Sequence, residues 1–185
     1  MMWTSMIVGL MFVLSGCVTP TVIKPASESI NFRAYKSVKL EVKDWVKSPY
    51  SEDGIPMLDG LLRGKLRSLG YMLVDSSEDM TVDVNVTEFT PGSAAARFFL
   101  GFGAGRALLV YRAKFIDPTG FLIAEFEGGK SYHGMELADN PLYKTDEEIK
   151  MGMIQQAAIQ LGQFIQSNGR LDGSSKEKGT EALER

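Results

Sequence analysis

An alternation of apolar and polar side chains over residues 80–87 is the feature that most constrains the fold of this chain. A two-residue period places successive side chains on opposite faces of a strand, so this segment predicts a strand with one buried and one solvated face. Ser37–Lys43 alternates in the same way. Leu108–Ile116 predicts another strand, and Asp117-Pro118-Thr119-Gly120 has the residue preferences of a type I turn. Phe121–Phe126 then predicts the hairpin partner, with a continuation past Gly128-Gly129 to His133 left open.

Two segments have helical periodicity. The first opens around Asp53, Gly54 and Pro56, ends at Gly70 and carries one leucine stripe. The second runs over Asp146–Ser167, and Thr145 with Glu148 forms a capping box before it. Its predicted buried positions are Ile149, Met153, Ile154, Ala157, Ala158, Leu161, Phe164 and Ile165, and its Gly152 and Gly162 predict close packing.

The element order is β-α-β-β-β-β-α once a short strand at Tyr71–Val74 is included. Strands joined across a helix are expected to be parallel with a right-handed crossover, and the remaining strands to pair as hairpins. The sequence therefore predicts an α/β (α+β) fold. Its architecture would be a two-layer sandwich with a mixed sheet of about five strands and both helices on one face.

The amino terminus carries a processing signal. A short apolar run, Met6–Leu14, precedes Leu14-Ser15-Gly16-Cys17, which contains the only cysteine of the chain. The run is too short to span a bilayer and is followed by small residues, as in secretory signals. The tetrapeptide resembles the lipobox of bacterial lipoproteins. That resemblance implies cleavage before Cys17 and lipidation of its sulfur, although Met1–Ser5 lacks the basic residues usual in signal peptides.

These features divide the chain into four parts. Residues 1–16 are predicted to be a signal peptide, 17–36 an acylated cysteine with a tether, 37–169 a single domain, and 170–185 a disordered polar tail. Several acyl chains would hold the mature protein at a membrane. Because Val18 stands where an Asp tends to retain Gram-negative lipoproteins at the inner membrane, the resemblance favours the periplasmic face of the outer membrane.

Composition excludes several functions. The net charge of -3 is not that of a nucleic-acid-binding protein, which usually has a basic stripe. An acylated Cys17 leaves no thiol for a disulfide, a thiolate metal site or a nucleophile. We therefore expect no cofactor and no metal. The expected partners are the membrane, through the lipid anchor, and an envelope protein or a second copy of the chain.

Residues 91–111 contain an uncommon glycine pattern. Gly92-Ser93 is followed by Arg97, then by Gly101, Gly103 and Gly105, and the next strand ends at Asp117 and Gly120. With Leu69-Gly70-Tyr71, this pattern resembles an uncharacterised bacterial lipoprotein family, a domain of unknown function with Gly-Ser-x-x-x-Arg, G-x-G-x-G and Asp-x-x-Gly elements. The resemblance covers most of the mature domain and implies no particular reaction.

Two readings of the segment between the arginines stay open. Its glycines allow another backbone to approach closely, and exposed aromatic patches usually mark interactions, so the segment could contact a partner or one leaflet of a membrane. It could equally be a turn that packs into the domain's own core. A phosphate-binding loop is disfavoured because a strand, not a helix, follows. The candidate interaction loop, called the Gly/Phe loop below, contains Arg97, Phe98, Phe99, Gly101, Phe102, Gly103, Gly105 and Arg106.

Catalytic constellations are not evident in the sequence. His133 is the only histidine, and no G-x-S-x-G motif accompanies it. Asp83, Glu88, Glu125 and Glu127 are expected on the solvated strand face rather than in a cleft. We therefore predict an interaction module and no enzyme. The alternatives are a binder of small ligands or glycans at the sheet face or beside the second helix, and a hydrolase that uses His133.

Overall fold

The strand predicted from the alternation at residues 80–87 lies inside a six-stranded sheet. The computed structural model describes residues 20–28, 30–90, 92, 106–132 and 145–169. The strands are β1 (Thr21–Lys24), β2 (Ser37–Asp44), β3 (Met72–Leu73), β4 (Met80–Thr90), β5 (Ala107–Ile116) and β6 (Leu122–Tyr132), the helices are α1 (Ser51–Ser68) and α2 (Asp146–Gln166), and a 3-10 turn covers Phe32–Ala34.

The strand order is β1-β6-β5-β4-β2-β3. β2 is parallel to both β3 and β4, whereas β4, β5, β6 and β1 pair antiparallel. The sheet is therefore mixed, as predicted, and β2 and β3 are parallel across α1. The strands have two ends, and we name each end of the sheet by its connection. The loop end is where β4 and β6 finish and β5 begins. The hairpin end, opposite it, is where β5 turns into β6.

The segment predicted to be a tether contributes to the domain, which corrects the sequence interpretation and raises the strand count to six. β1 pairs with β6, with Thr21 opposite Glu127. Phe32 is completely buried, and its ring centroid lies 5.0 Å from that of Phe115 and 6.2 Å from that of Phe164. The alternation of apolar and polar residues in β1 is short and its apolar content is low, so the sequence pattern did not predict a strand there. Its pairing comes from β6, a partner far away in sequence.

The sequence signals for the end of α1 and for the start of α2 are both present in the structure. At α1, Gly70 has a φ of 92°, and the N–H groups of Gly70 and Tyr71 donate to the carbonyls of Arg67 and Leu66. This pair of bonds satisfies the last carbonyl groups of the helix. At the start of α2, the predicted capping box is present, with the Thr145 hydroxyl and the Glu148 carboxylate each accepting from the other's backbone N–H.

The core lies between the sheet and the two helices. All eight positions of α2 that were predicted to be buried are buried, and α1 buries Leu58, Leu62 and Leu66. A Cβ at Gly152 would overlap the Tyr132 hydroxyl, and a Cβ at Gly162 would overlap the Lys65 side chain. The predicted close packing at both glycines is therefore confirmed.

Several strand boundaries differ from the predictions by one or more residues. β3 is shorter than Tyr71–Val74, while β4 continues to Thr90. β6 runs through Gly128-Gly129 to Tyr132, so the longer of the two possibilities is correct up to that residue. The predicted signal peptide lies outside the described residues, as does the polar tail at 170–185.

Candidate functional site

The loop end of the sheet holds both ends of the glycine-rich segment. Thr90 pairs with Leu108 as the last pair between β4 and β5, and Gly92 and Arg106 are described on either side of the gap. Arg106 is exposed and directly precedes the buried Ala107. The other members of the Gly/Phe loop (Arg97, Phe98, Phe99, Gly101, Phe102, Gly103 and Gly105) lie outside the described residues.

The base of this segment is held by packing against α1. Phe89 is completely buried, and its ring meets Tyr50 edge-on, with centroids 5.4 Å apart. A Cβ at Gly54 would overlap the Phe89 ring, so the glycine allows the first turns of α1 to approach β4. The backbone that enters the glycine-rich segment is therefore fixed by the core, because Phe89 is only one residue before the end of β4.

The chain enters β1 from the direction of the loop end. β6 runs toward the loop end, and β1 is antiparallel to β6. Thr21 is four positions after Cys17, a span of at most about 14 Å for an extended chain. Cys17 itself lies outside the described residues. The strand directions thus bring the entry of the amino-terminal segment and both ends of the glycine-rich segment to the same side of the sheet.

A buried lysine joins the two helices near the loop end. The Lys150 side chain is 2% exposed, and its Nζ lies 2.5 Å from the Asp53 carboxylate and 2.7 Å from the Glu147 carboxylate. Hydrogen bonds to these two carboxylates raise the pKa of Lys150, and the bond from Lys150 lowers the pKa of Asp53. Tyr50 lies beneath the ammonium group, with its ring centroid 5.5 Å from Nζ. Every side chain of this cluster has a partner, which indicates a structural role.

The face of the sheet opposite the helices carries paired charges. Lys43 Nζ lies 3.0 Å from Glu41 and 2.9 Å from Asp83. Arg112 lies 2.9 Å from Glu127 and 3.8 Å from Glu125. Three of the four strand carboxylates considered for catalysis are therefore held in ion pairs, and the fourth, Glu88, is exposed. Across the described ranges, no group of three or more potential metal ligands occurs.

A cavity of about 380 Å³ lies at the hairpin end, between the 3-10 segment and the carboxyl ends of both helices. Sequence reasoning missed it because its walls come from three distant segments. Burial raises the pKa of Tyr71 to about 12, and the positive charge of Arg33 acts in the opposite direction. The described lining consists of Arg33, Tyr35, Lys36, Ser68, Leu69, Gly70, Tyr71, Ile165 and Gln166.

His133 follows the last residue of β6 and lies outside the described residues. No helix among the described residues is long and apolar enough to cross a membrane. These residues contain no arrangement that identifies a reaction, and the expectation that the protein is not an enzyme stays a prediction.

Residues 59–135 match the family model described as Domain of unknown function (DUF4410). The match runs from the middle of α1 to just beyond β6 and includes the glycine-rich segment. It agrees with the resemblance to a domain of unknown function, while the individual glycine motifs stay predictions. No curated protein matches the sequence.

Solved structures are similar to this chain at low sequence identity. A PelC dodecamer from Paraburkholderia phytofirmans has a TM-score of 0.50 at 11% identity, covering 78% of this chain and 98% of that chain. A minor lipoprotein from Acinetobacter baumannii has a TM-score of 0.39 at 21% identity, covering 73% and 95%. A protein of the DUF330 family from Xanthomonas campestris has a TM-score of 0.46 at 13% identity, covering 81% and 94%. At these identities the PelC likeness defines the fold alone.

Proposed function

We propose that this protein is a lipid-anchored protein of the bacterial envelope that acts as an interaction or assembly module through the Gly/Phe loop. The main observation that supports this proposal is the antiparallel direction of β1 and β6. Because β1 is antiparallel to β6, the chain that follows the proposed acylation site enters from the loop end, where β4 ends and β5 begins. The entry of the chain into β1 and both described ends of the proposed contact loop therefore lie toward the same side of the domain.

The sequence features supply the chemistry of the two parts. Acylation of Cys17 would confine the domain to a membrane surface, which raises its effective concentration toward other membrane-bound proteins. The loop contains three phenylalanines between Arg97 and Arg106 with glycines interspersed. Glycines permit close backbone approach, and aromatic and arginine side chains are enriched at protein interfaces. The outer membrane, on its periplasmic face, is the proposed location because position 18 is Val.

A second copy of the chain is the first partner to test. The solved structure with a TM-score of 0.50 is described as a dodecamer, and it shares this fold. That likeness supports homo-oligomerisation as a proposal, since related folds can assemble through surfaces of the same architecture. An envelope protein of another kind is the alternative partner for the same loop.

The anchor is tested by metabolic labelling with a palmitate analogue. We expect labelling of the wild-type protein, loss of labelling in Cys17→Ser, and release of that variant from the membrane fraction. Labelling that persists in Cys17→Ser would contradict the proposed site. An unlabelled wild-type protein with an intact amino terminus by mass spectrometry would remove the anchor altogether.

The contact loop is tested by crosslinking in the anchored protein. We expect Phe99→Asp and Gly103→Val to abolish crosslinked oligomers or partner adducts while leaving the thermal unfolding midpoint close to wild type. Phe121→Asp is the matched control, because Phe121 is 60% exposed at the hairpin end. Unchanged crosslinks in Phe99→Asp, or equal loss in Phe121→Asp, would contradict a contact role for the loop.

A further inference from the structure

The cavity at the hairpin end is built by segments that the fold brings together for other reasons. Residues 25–36 cross from β1 at one edge of the sheet to β2 near the other, and Phe32 fixes this crossing in the core. Arg33 follows Phe32 directly, and Lys36 lies three residues further along the chain. The opposite wall comes from the carboxyl end of α1 and from the last turn of α2.

The described lining contains two cationic side chains and no carboxylate. Lys36 Nζ donates to the Arg33 carbonyl at 3.0 Å, and this acceptor carries no formal charge. Neither Arg33 nor Lys36 forms an ion pair within the described part of the chain. A cation without a counter-ion in a concave site attracts negative charge.

Two carboxylates in the adjacent turns, those of Asp79 and Asp117, accept hydrogen bonds from backbone N–H groups. Asp79 accepts from the N–H groups of Lys36 and Ser37 at 2.8 and 2.9 Å. Asp117 accepts from the N–H groups of Thr119 and Phe121, both at 2.9 Å. These bonds hold both carboxylates in the adjacent turns, and neither residue is part of the described lining.

At the helix carboxyl ends that face the cavity, several backbone carbonyls already accept hydrogen bonds from nearby N–H groups. At α2, the N–H of Gly169 donates to the Phe164 carbonyl at 2.9 Å, and the N–H of Asn168 donates to the Ile165 carbonyl at 3.0 Å. At the carboxyl end of α1, the N–H groups of Gly70 and Tyr71 donate to helix carbonyls in the same way. Because these carbonyls already accept hydrogen bonds, fewer of them are left to compete for Arg33 and Lys36.

We propose that this cavity binds a small organic anion of about the size of a monosaccharide, with its carboxylate or phosphate between Arg33 and Lys36. The volume of about 380 Å³ lies at the lower end of the range of small-molecule sites. Guanidinium and ammonium groups are the side chains that recognise carboxylate and phosphate oxygens. Leu69 and Ile165 supply an apolar wall for the body of the molecule.

Ligand-observed NMR with the full-length protein tests this site. The probes are glucuronate and glucose 6-phosphate, and neutral glucose is the control with the same sugar ring. We expect saturable binding of both anions and none of glucose. Raised ionic strength should weaken the binding, because charges at an open site are screened by salt.

Matched charge variants distinguish the site from general surface charge. Arg33→Gln should weaken anion binding by about tenfold, the loss expected when one charged hydrogen bond is removed. Arg67→Gln removes the same charge from the exposed end of α1, outside the described lining, and should leave binding unchanged. Both variants are expected to keep the wild-type unfolding midpoint, since both side chains are exposed.

Three results would overturn the proposal. They are the absence of saturable binding of either anion at millimolar concentration, equal binding of glucose, and an equal loss of affinity in Arg33→Gln and Arg67→Gln. None of them bears on the anchor or on the Gly/Phe loop, because the cavity lies at the other end of the sheet.

Discussion

The side chain of Gln160 on α2 forms two hydrogen bonds with the backbone of Gly129 on β6. The Gly129 N–H donates to Oε1 at 2.8 Å, and Nε2 donates to the Gly129 carbonyl at 2.9 Å. β1 pairs with β6 only at 125–127, so it does not reach Gly129. Gln160 therefore supplies the bonds that a longer β1 would have made, and it closes this part of the sheet edge.

Replacing Gln160 by Leu should destabilise the domain by about 2–4 kcal/mol, because a buried N–H and a buried carbonyl would each lose a partner. Urea unfolding of the full-length protein measures the change in the free energy of unfolding. Gln163→Leu on the same helix is the control, since Gln163 is exposed and its replacement leaves buried groups untouched. Equal stability of the two variants would contradict the role of Gln160.

Gly128 makes the space in which Gln160 approaches the strand. A Cβ at Gly128 would lie 2.7 Å from the Tyr111 hydroxyl and 2.8 Å from Gln160 Oε1. We expect Gly128→Ala to cost about 1–3 kcal/mol of stability through overpacking. Gly64→Ala in α1, where nothing lies within 4 Å, should instead stabilise by about 0.5–1 kcal/mol through helix propensity. Denaturant midpoints that move in the same direction would contradict this contrast.

Phe32 should be a principal core residue although it lies in a segment with no helical or strand periodicity. Its replacement by Ala removes the ring that packs on Phe115 and Phe164, and should cost about 3–5 kcal/mol. Phe121→Ala is the control, because its ring is 60% exposed and contacts the Lys24 ammonium at the surface. Chemical denaturation distinguishes the two, and a small effect at Phe32 would show that residues 25–36 do not belong to the cooperative core.

Alkaline pH should weaken the fold through Tyr71. Burial raises its pKa from 10.0 to about 12 in the folded protein, and its hydroxyl donates to the Phe32 carbonyl at 3.0 Å. The unfolded chain loses the tyrosine proton first, so this contribution is complete below pH 10 and is lost as the pH rises toward 12. The slope is about 1.4 kcal/mol per pH unit for one tyrosine.

Urea unfolding at a series of pH values between 9 and 12 measures this slope, because it covers the interval between the unfolded and the folded pKa of Tyr71. Tyr71→Phe should flatten the dependence by that amount, leaving the part due to Tyr111, whose pKa burial also raises. An unchanged slope in Tyr71→Phe would contradict the assignment to Tyr71.

Lys150 offers a test of the ion pairs between α1 and α2. Lys150→Met keeps the buried stem and removes the charge, and the two carboxylates it leaves are exposed. Because replacing a buried ion pair by a well-packed apolar side chain is often neutral or stabilising, we expect a change within about 1 kcal/mol. Lys150→Ala should cost about 2 kcal/mol more through the cavity it leaves. Thermal unfolding midpoints that fall equally in Lys150→Met and Lys150→Ala would show that the lost charge, and not the lost packing, determines the change in stability.

The sequence determined the local elements of this protein. Periodicity identified both helices, β2 and β4, and the type I turn at Asp117–Gly120 identified the hairpin of β5 and β6. The Thr145–Glu148 capping box located the start of α2. These signals are readable because each depends on neighbours within one or two turns or on side-chain alternation along one strand. The lipobox-like segment and the Gly/Phe loop are likewise sequence features, and their roles stay proposals.

Only the tertiary structure decided the long-range pairings. β1 is four residues long and exists because β6 offers it an edge, Phe32 is core because Phe115 and Phe164 surround it, and Gln160 closes an edge far away in sequence. The cavity beside Arg33 combines three separated segments. Such features arise from contacts between distant positions, whose free energy depends on the assembled fold and leaves no periodic pattern in the chain.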